Sequence, residues 1–532
     1  MDWDFIVVGA GSAGCVLANR LSSDPQTRVL LIEAGGSSDR WASNVPAGVP
    51  VLLGSQELNW QYLTQPDASR GGMVDMWPAG KMLGGGSAIN GMMYVRGHRL
   101  DYDRWAALGA TGWSYSDVLP YFRRQEDFEG GATDYRGVDG PQAVSHSRIR
   151  HPLDEAFIRA AEHLGILRNP DLNGANAEGV GFVQSTQRNG QRASTARSYL
   201  MPAMNRRNLS VLTHCVVKRV IFESGRAIGV EYLEAGILQI ARCKAGVVLS
   251  AGSLATPGVL MRSGVGPGTH LQAMGIKTVV DSPEVGQNLQ EHAAVRIGFH
   301  SRIPTINSEL GPLRNVWHAL NYLLRRRGPL TMCIGHAQAL VRSRNDLDAP
   351  NLQIIFSPLA IEFTPKGPRP YPRPAAGVAI GLAHAHGRGE VKLSSADPAS
   401  KPVIDYELVG HPQDMQDLIA GCKIGRDLMA APPLKTYVID ERMPGLATQT
   451  DEQWEAFIRK SAFPMYHPCG TARMGSDEKS VVDPQLRVRG VDQLWVADAS
   501  VIPSIPTGNI NATCIMIGEK ASDLVMAQQR LY

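Results

Sequence analysis

The sequence predicts an α/β protein, α+β overall, with a Rossmann-like nucleotide-binding domain and a discontinuous second domain built on an antiparallel sheet. Three observations lead there. The amino terminus reads strand, glycine turn, helix; residues 247–266 and 494–526 read the same way; and alternating β-prone runs lie between them at 351–356, 378–382 and 391–393. A chain that returns twice to one motif builds one sheet from distant pieces. Those pieces are 1–150, 200–295 and 462–532, which leaves 151–199 and 296–461 for the second domain.

Residues 4–8 are apolar and β-prone, Gly9-Ala10-Gly11-Ser12-Ala13-Gly14 follows, and Val16, Leu17, Ala18 and Leu21 recur at helical spacing. Glycines in that order let backbone N–H groups at a helix start approach a pyrophosphate, where the helix dipole favours negative charge. A second strand, 28–32, ends at Glu33, nineteen residues beyond Gly14. A carboxylate there accepts from both ribose hydroxyls of an adenosine and repels a 2′-phosphate. Glycines that only mark a turn would not need that carboxylate. FAD and NAD share the ADP half, so the fingerprint leaves the choice between them open.

Residues 80–97, GKMLGGGSAINGMMYVRG, mix glycine with Met, Leu and Ile, unlike a flexible serine-rich linker, and fit a backbone pressed against a ligand. Residues 247–257 read as a buried strand entering a small-residue turn, with a helix beyond. The carboxyl end repeats the pattern: strand 494–497, Asp498-Ala499-Ser500, a proline-punctuated loop, then Gly508-Asn509-Ile510-Asn511 opening an apolar helix toward Met526. A helix start offers unpaired N–H groups and positive partial charge, which suit the anionic N1–C2 edge of a reduced flavin.

Composition excludes several classes. With 532 residues, 43% hydrophobic and 19% charged, the chain is globular, and a net charge of +3 spread over 53 basic and 50 acidic residues gives no footprint for nucleic acid. Seven scattered cysteines without a CxxC pair fit reduced thiols and a cytoplasmic location. No basic and apolar leader precedes the first strand, and no apolar run has the length of a membrane span, so a soluble protein, or one peripheral to the inner face of the membrane, is expected.

With these segments the chain resembles the glucose-methanol-choline (GMC) oxidoreductases over nearly its whole length. It carries GKxLGGGSxIN at 80–90, GSxxTPxxLMxSGVG at 252–266 and VGxNLxxH at 285–292. INxMxYxRGHxxDY at 89–102 and RGxVxLxSxDP-like text at 388–398 are similar to bacterial alcohol dehydrogenases acting on aliphatic, polyethylene-glycol or arylalkyl alcohols. The resemblance implies FAD, with cofactor contacts at Gly9, Gly11, Ser12, Ala13, Gly14, Glu33, Ala34, Gly84, Ser87, Asn90, Gly91, Met92, Met93, Val217, Asp498, Ala499, Asn509 and Asn511. It also implies noncovalent binding, because the position from which some members link flavin through a histidine is Ile89 here.

An alcohol carbon gives up hydride readily only as the hydroxyl proton leaves, so the chemistry needs a base beside the hydroxyl. Among fourteen histidines, His467 lies in the tight segment Tyr466-His467-Pro468-Cys469-Gly470-Thr471 just before the last nucleotide strand. Context alone reads it as a turn-capping histidine; the resemblance makes it the base, and maps its partner, a donor to the developing alkoxide, to Asn511. His384 and His386 alternate along a strand but lack a third ligand, so no metal is expected. Cys469 reads as a small buried side chain.

Val316, Trp317, Ala319, Leu320, Leu323 and Leu324, followed by Arg325, Arg326 and Arg327, have helical spacing and a basic end. They fit a cover over the substrate entrance, the reading favoured, or a peripheral membrane contact. His336 and Gln338 stand about where related enzymes often show an acid and paired glycines, which leaves the substrate and the role of His336 open. Phe356, Phe363 and Tyr371 suit an apolar or aromatic alcohol, and no carboxylate is placed for the ammonium of choline. The expected reaction takes a small-molecule alcohol, primary and aliphatic, glycol or arylalkyl, to the aldehyde or ketone, with electrons passing to a quinone, another carrier or O₂. An oxidase forming hydrogen peroxide and a flavin-containing hydroxynitrile lyase are the rivals. Oligomeric state is left open.

Overall fold

The computed structural model describes residues 2–364 and 367–529. The elements that frame the site are, in chain order, β1 (Trp3–Val8), α1 (Ser12–Leu21), β2 (Val29–Ile32), α2 (Pro152–His163), β3 (Gly179–Phe182), β4 (Leu209–Leu212), β5 (Cys215–Glu223), β6 (Arg226–Glu234), β7 (Ile237–Leu249), β8 (Ala293–Ser301), α3 (Pro312–Arg325), β9 (Ala337–Val341), β10 (Leu352–Ser357), β11 (Ala375–Leu382), α4 (Pro412–Ala430), β12 (Val438–Met443), β13 (Phe463–Pro464), β14 (Leu494–Val496) and α5 (Asn511–Gln529).

The first sheet runs β4-β2-β1-β7-β6-β5, with β14 beside β7. β1, β2, β4, the second half of β7 and β14 are parallel, and their buried apolar runs, such as Val29-Leu30-Leu31-Ile32, are those of a sheet covered on both faces. The first half of β7 instead pairs antiparallel with β6, and its exposed residues match that change of surroundings. Register sets Leu212, Ile32, Val8, Leu249 and Val496 in one row, so the carboxyl ends of five strands open on one crevice. Open α/β sheets bind ligands at such an edge.

The second sheet, β12-β8-β11-β10-β9-β3 with β13 beside β8, is antiparallel throughout. α2 and α4 pack on it and bury one apolar layer that includes Phe157, Phe356, Ile380 and Leu418. The α/β domain joined to an antiparallel sheet is the architecture expected. One run departs: 391–393 alternates as a strand should, yet Glu390–Lys392 pairs with Val403–Asp405 in a separate ribbon. Among the described residues all seven cysteines are buried and free, and no helix is long and apolar enough to cross a membrane.

Two glycines are required where the first strand turns into its helix. Gly9 has φ +95°, and a Cβ there would lie 2.5 Å from the Ser250 carbonyl oxygen; a Cβ on Gly14 would overlap the Gly9 carbonyl. Gly14→Ala must push β1 and α1 apart. Thermal unfolding should show a loss of about 3 kcal/mol or more, the upper range for overpacking, with FAD content falling in parallel.

Candidate active site

The crevice is lined by converging backbone. α1 opens at Ser12 with Gly11 at its N-cap and no side chain capping it, so its first N–H groups lack side-chain partners. α5 opens at Asn511, whose amide donates to Ser12 Oγ at 2.8 Å, so two helix starts meet. Gly518 permits the crossing: a Cβ there would stand 2.9 Å from the Ala13 carbonyl oxygen. At the end of β2, Glu33 accepts from Ala10 N and Gly35 N, both at 2.8 Å. Burial raises the pKa of this carboxyl, and the N–H groups of Gly35, Ala10 and Ala34 act against that. Cys215 N donates to the Glu33 carbonyl at 2.9 Å, which carries Val217 into the same region.

The glycine loop rests on this turn. Gly84 N donates to the Ala10 carbonyl at 2.7 Å, and a Cβ on Gly85 would stand 2.8 Å from Gly11 Cα. Ser87 Oγ meets Thr195 Oγ1 at 2.9 Å, Asn90 Oδ1 accepts from Met92 N, and Met92 itself sits at φ +63°. Ile334 lies over Gly91, where a Cβ would come within 2.5 Å of its Cδ1. Met92 and Met93 continue into an apolar wall with Val183, Cys333 and Ile355, backed by Ala379 and Met465.

A residue absent from the sequence reading holds the loop. Arg192 is buried, and its guanidinium donates to the carbonyls of Ser43 (2.9 Å), Ser87 (3.2 Å) and Asn90 (2.7 Å) and to Asn90 Oδ1 (2.7 Å). Burial lowers its pKa to about 10. Its acceptors come from two separated segments, Ser43 and the glycine loop, and it belongs to no motif, so nothing in the sequence marks it. Asp498 acts as a latch: its oxygens accept from Gly252 N, Thr256 Oγ1 and Ser500 N and Oγ, tying β14 to the turn after β7. Its side-chain oxygens are thus engaged within the protein. The Ala499 carbonyl accepts from Gly470 N at 3.1 Å and brings the segment of His467 to the same edge.

Residues 290–292 and 465–469 run as an antiparallel ladder: Met465 N donates to the His292 carbonyl, and Gln290 and Cys469 exchange both N–H bonds. His467 N donates to both oxygens of Glu291 at 2.8 Å, with Tyr466 before it at φ +66°. The ladder sets His467 Nδ1 3.0 Å from His292 Nδ1, while His292 Nε2 lies 3.1 Å from the Ala383 carbonyl. A carbonyl only accepts, so His292 carries its proton on Nε2 and offers a lone pair at Nδ1. His467 must then donate from Nδ1, which leaves the lone pair on its Nε2. Asn509 Nδ2 faces that lone pair at 3.0 Å, and its orientation is fixed because Asn509 Oδ1 accepts from Gln353 Nε2, itself bonded to Gln338.

Burial drives the His467 pKa down to about 4 and that of His292 well below the usual histidine value. It pushes the Glu291 carboxyl up to about 8, with the N–H groups of His467 and His292 opposing.

The structure corrects one role. Asn511 was the expected partner of His467; Asn509 stands there instead. Asn509 belongs to the irregular segment ahead of α5, while Asn511 is its first helical residue and turns to Ser12. His292 and Glu291 lie inside the VGxNLxxH motif, which was the available signal for them. Phe356 stacks on Phe157 at 4.9 Å in the layer behind the sheet, and Tyr371 bonds His300, so neither is brought to His467; the side chain of Phe363 lies outside the described residues. His336 pairs with Asp154 at 3.0 Å. His384 pairs with Asp101 and His386 with Asp414. His386, Asp414 and His411 form one compact group, with the two rings stacked and Asp414 accepting from His386 N and Gly387 N, a lock on the start of α4. Burial raises the Cys469 thiol far above its usual value, so it carries no thiolate.

Family models described as GMC oxidoreductase match residues 3–294 and 385–518. The chain belongs to the GMC oxidoreductase family. It is 40% identical over 541 residues to human mitochondrial choline dehydrogenase, covering 100% of this chain and 91% of that one. To the alcohol dehydrogenase [acceptor] of Pseudomonas putida it is 39% identical, covering 98% and 96%. Among solved structures, pyridoxine 4-oxidase from Mesorbium loti superimposes with a TM-score of 0.90 at 29% identity and full coverage of both chains. Formate oxidase from Aspergillus oryzae RIB40 (R554A) does so with 0.93 at 27%, covering 100% and 99%.

The protein is therefore a flavoenzyme oxidoreductase acting on CH–OH donors, and GMC oxidoreductases bind FAD. The donor set fits that group: two helix starts, a buried acid at the end of β2, and backbone approaches that no Cβ would allow. Arg192→Leu leaves three carbonyls without their donor and should release the glycine loop, at about 1.5–3 kcal/mol for each lost charged hydrogen bond. The flavin-to-protein absorbance ratio of the purified variant should fall well below that of wild type, and Arg192→Lys, lacking the fork, should not restore it.

Proposed function

We propose that this GMC oxidoreductase oxidises a small uncharged alcohol, with His467 as base and Asn509 as donor to the alcohol oxygen. The observation that carries the reading is the lone pair on His467 Nε2 facing Asn509 Nδ2 at 3.0 Å. One hydroxyl entering between these atoms gives its proton to Nε2 and accepts from Nδ2 as negative charge grows on oxygen. FAD, when bound, supplies the oxidant that takes the hydride at N5. His292 acts as a positioning residue: its accepting Nδ1 keeps the proton of His467 on the far side of the ring. Gln353, on β10, aims the Asn509 amide.

The wall between the glycine loop and His467 is apolar. Glu291 is occupied by backbone N–H groups and Asp101 by His384, so neither is free for a quaternary ammonium. His336, where related enzymes often carry an acid, is itself held by Asp154. These features support a primary aliphatic, glycol or arylalkyl alcohol over choline, although several relatives are choline dehydrogenases. Ile89 is packed among Met82, Leu58 and Ala88, which supports noncovalent FAD. Residues 1–150, 200–295 and 462–532 form the FAD unit in this reading, and electrons leave to a carrier other than O₂ in the cytoplasm.

Anaerobic mixing with aliphatic, glycol and arylalkyl alcohols, followed by flavin absorption, tests this. Bleaching with an uncharged alcohol is expected, and His467→Ala should slow it about 10²–10⁴-fold. Turnover without bleaching would indicate a lyase, and stoichiometric peroxide in air an oxidase. Asn509→Ala should slow reduction about 10²–10³-fold with FAD retained, whereas Asn511→Ala should act on FAD retention. Because His467 stays neutral down to about pH 4, kcat/KM should show no break near the ordinary histidine value of 6.5 and fall only towards 4; a break at 6.5 would mean a solvated imidazole.

A further inference from the structure

α3 is amphipathic in the wrong sense for a helix covering a protein. It rests on the fold through His318 and Tyr322, the latter buried, while Leu313 (88% exposed), Trp317 (61%), Leu320 and Leu324 (81%) lie in solvent at helical spacing. Such a stripe normally faces a core. Arg325 closes the helix, and Arg326 and Arg327 follow it. Cations suit a helix carboxyl end through the dipole, but that does not account for the outward leucines. At the amino-terminal end of α3, Glu309 pairs with Arg314 at 3.5 Å and His318 at 3.4 Å.

We propose that the exposed face of α3 docks on an anionic lipid surface, its leucines and Trp317 entering the headgroup boundary and Arg325–Arg327 meeting lipid phosphates. Amphipathic interfacial helices carry this combination of an aromatic-aliphatic face and a basic end. A second copy of the chain fits less well. A helix of fourteen residues is about 21 Å long and about 10 Å wide, so its stripe offers roughly 200 Å², against about 800 Å² per partner in a stable interface. The docking face leads to the flavin loop: the chain after α3 packs on residues Pro46–Gly48 and reaches Ile334, half exposed and seated over Gly91. An apolar alcohol or carrier dissolved in the bilayer would thus arrive beside the apolar wall.

Flotation of the holoenzyme with vesicles tests this, using phosphatidylcholine alone and phosphatidylcholine mixed with phosphatidylglycerol. Wild type should float with the anionic vesicles and little with the neutral ones. Leu320→Ser/Leu324→Ser should weaken flotation at least tenfold, and Arg325→Ser/Arg327→Ser by roughly thirtyfold at about 1 kcal/mol per arginine. Both variants should keep their FAD and the bleaching seen with soluble alcohol, so failure here is distinct from failure of the alcohol assignment. Flotation with neither vesicle, equal flotation with both, or flotation unchanged by the leucine variant overturns the proposal. So does a wild-type dimer in light scattering that the leucine variant converts to monomer.

Discussion

Burial removes water from both nitrogens of His467, so neighbouring groups decide where its proton sits. The Ala383 carbonyl fixes His292, His292 fixes His467, and the lone pair emerges on the one nitrogen that faces Asn509. The rest of the architecture serves this arrangement. The ladder between 290–292 and 465–469 keeps the rings side by side, and Glu291 clamps the backbone by accepting from the N–H groups of His467 and His292.

The same network joins the two sheets. Gln338 and Gln353 belong to the antiparallel sheet, Asn509 to the segment before α5, and His467 to the strip between β13 and β14. The crevice is built at the aligned ends of five parallel strands, while the Asn509 amide beside it is oriented by Gln353 from the antiparallel sheet.

Much of this was legible where the signal is local. The glycine turn, Glu33 and the small-residue loop are runs of neighbouring residues whose spacing states their conformation. Legibility failed where tertiary register decides. Asn509 and Asn511 are equally plausible until the first residue of α5 is known, because that boundary sends one amide to His467 and the other to Ser12. Gln353 gains its role from the pairing of β9 with β10, which brings Gln338 beside it. Arg192 meets three carbonyls from segments about a hundred residues or more away, and the run at 391–393 alternates faithfully without revealing which strand it joins.

The nucleotide sheet places its first strand at the centre and one of its last, β14, beside β7, with α5 closing against α1. During synthesis the ribosome delivers β1, β2 and β7 long before β14 and α5 exist, so the nascent chain carries an unfinished sheet with an open apolar edge through most of translation. Contacts of such long sequence separation fold slowly and expose the chain to aggregation. Capture of the coenzyme is consequently a late event, after residue 511 has left the exit tunnel, and chaperone supply and flavin supply together would govern the yield of active enzyme.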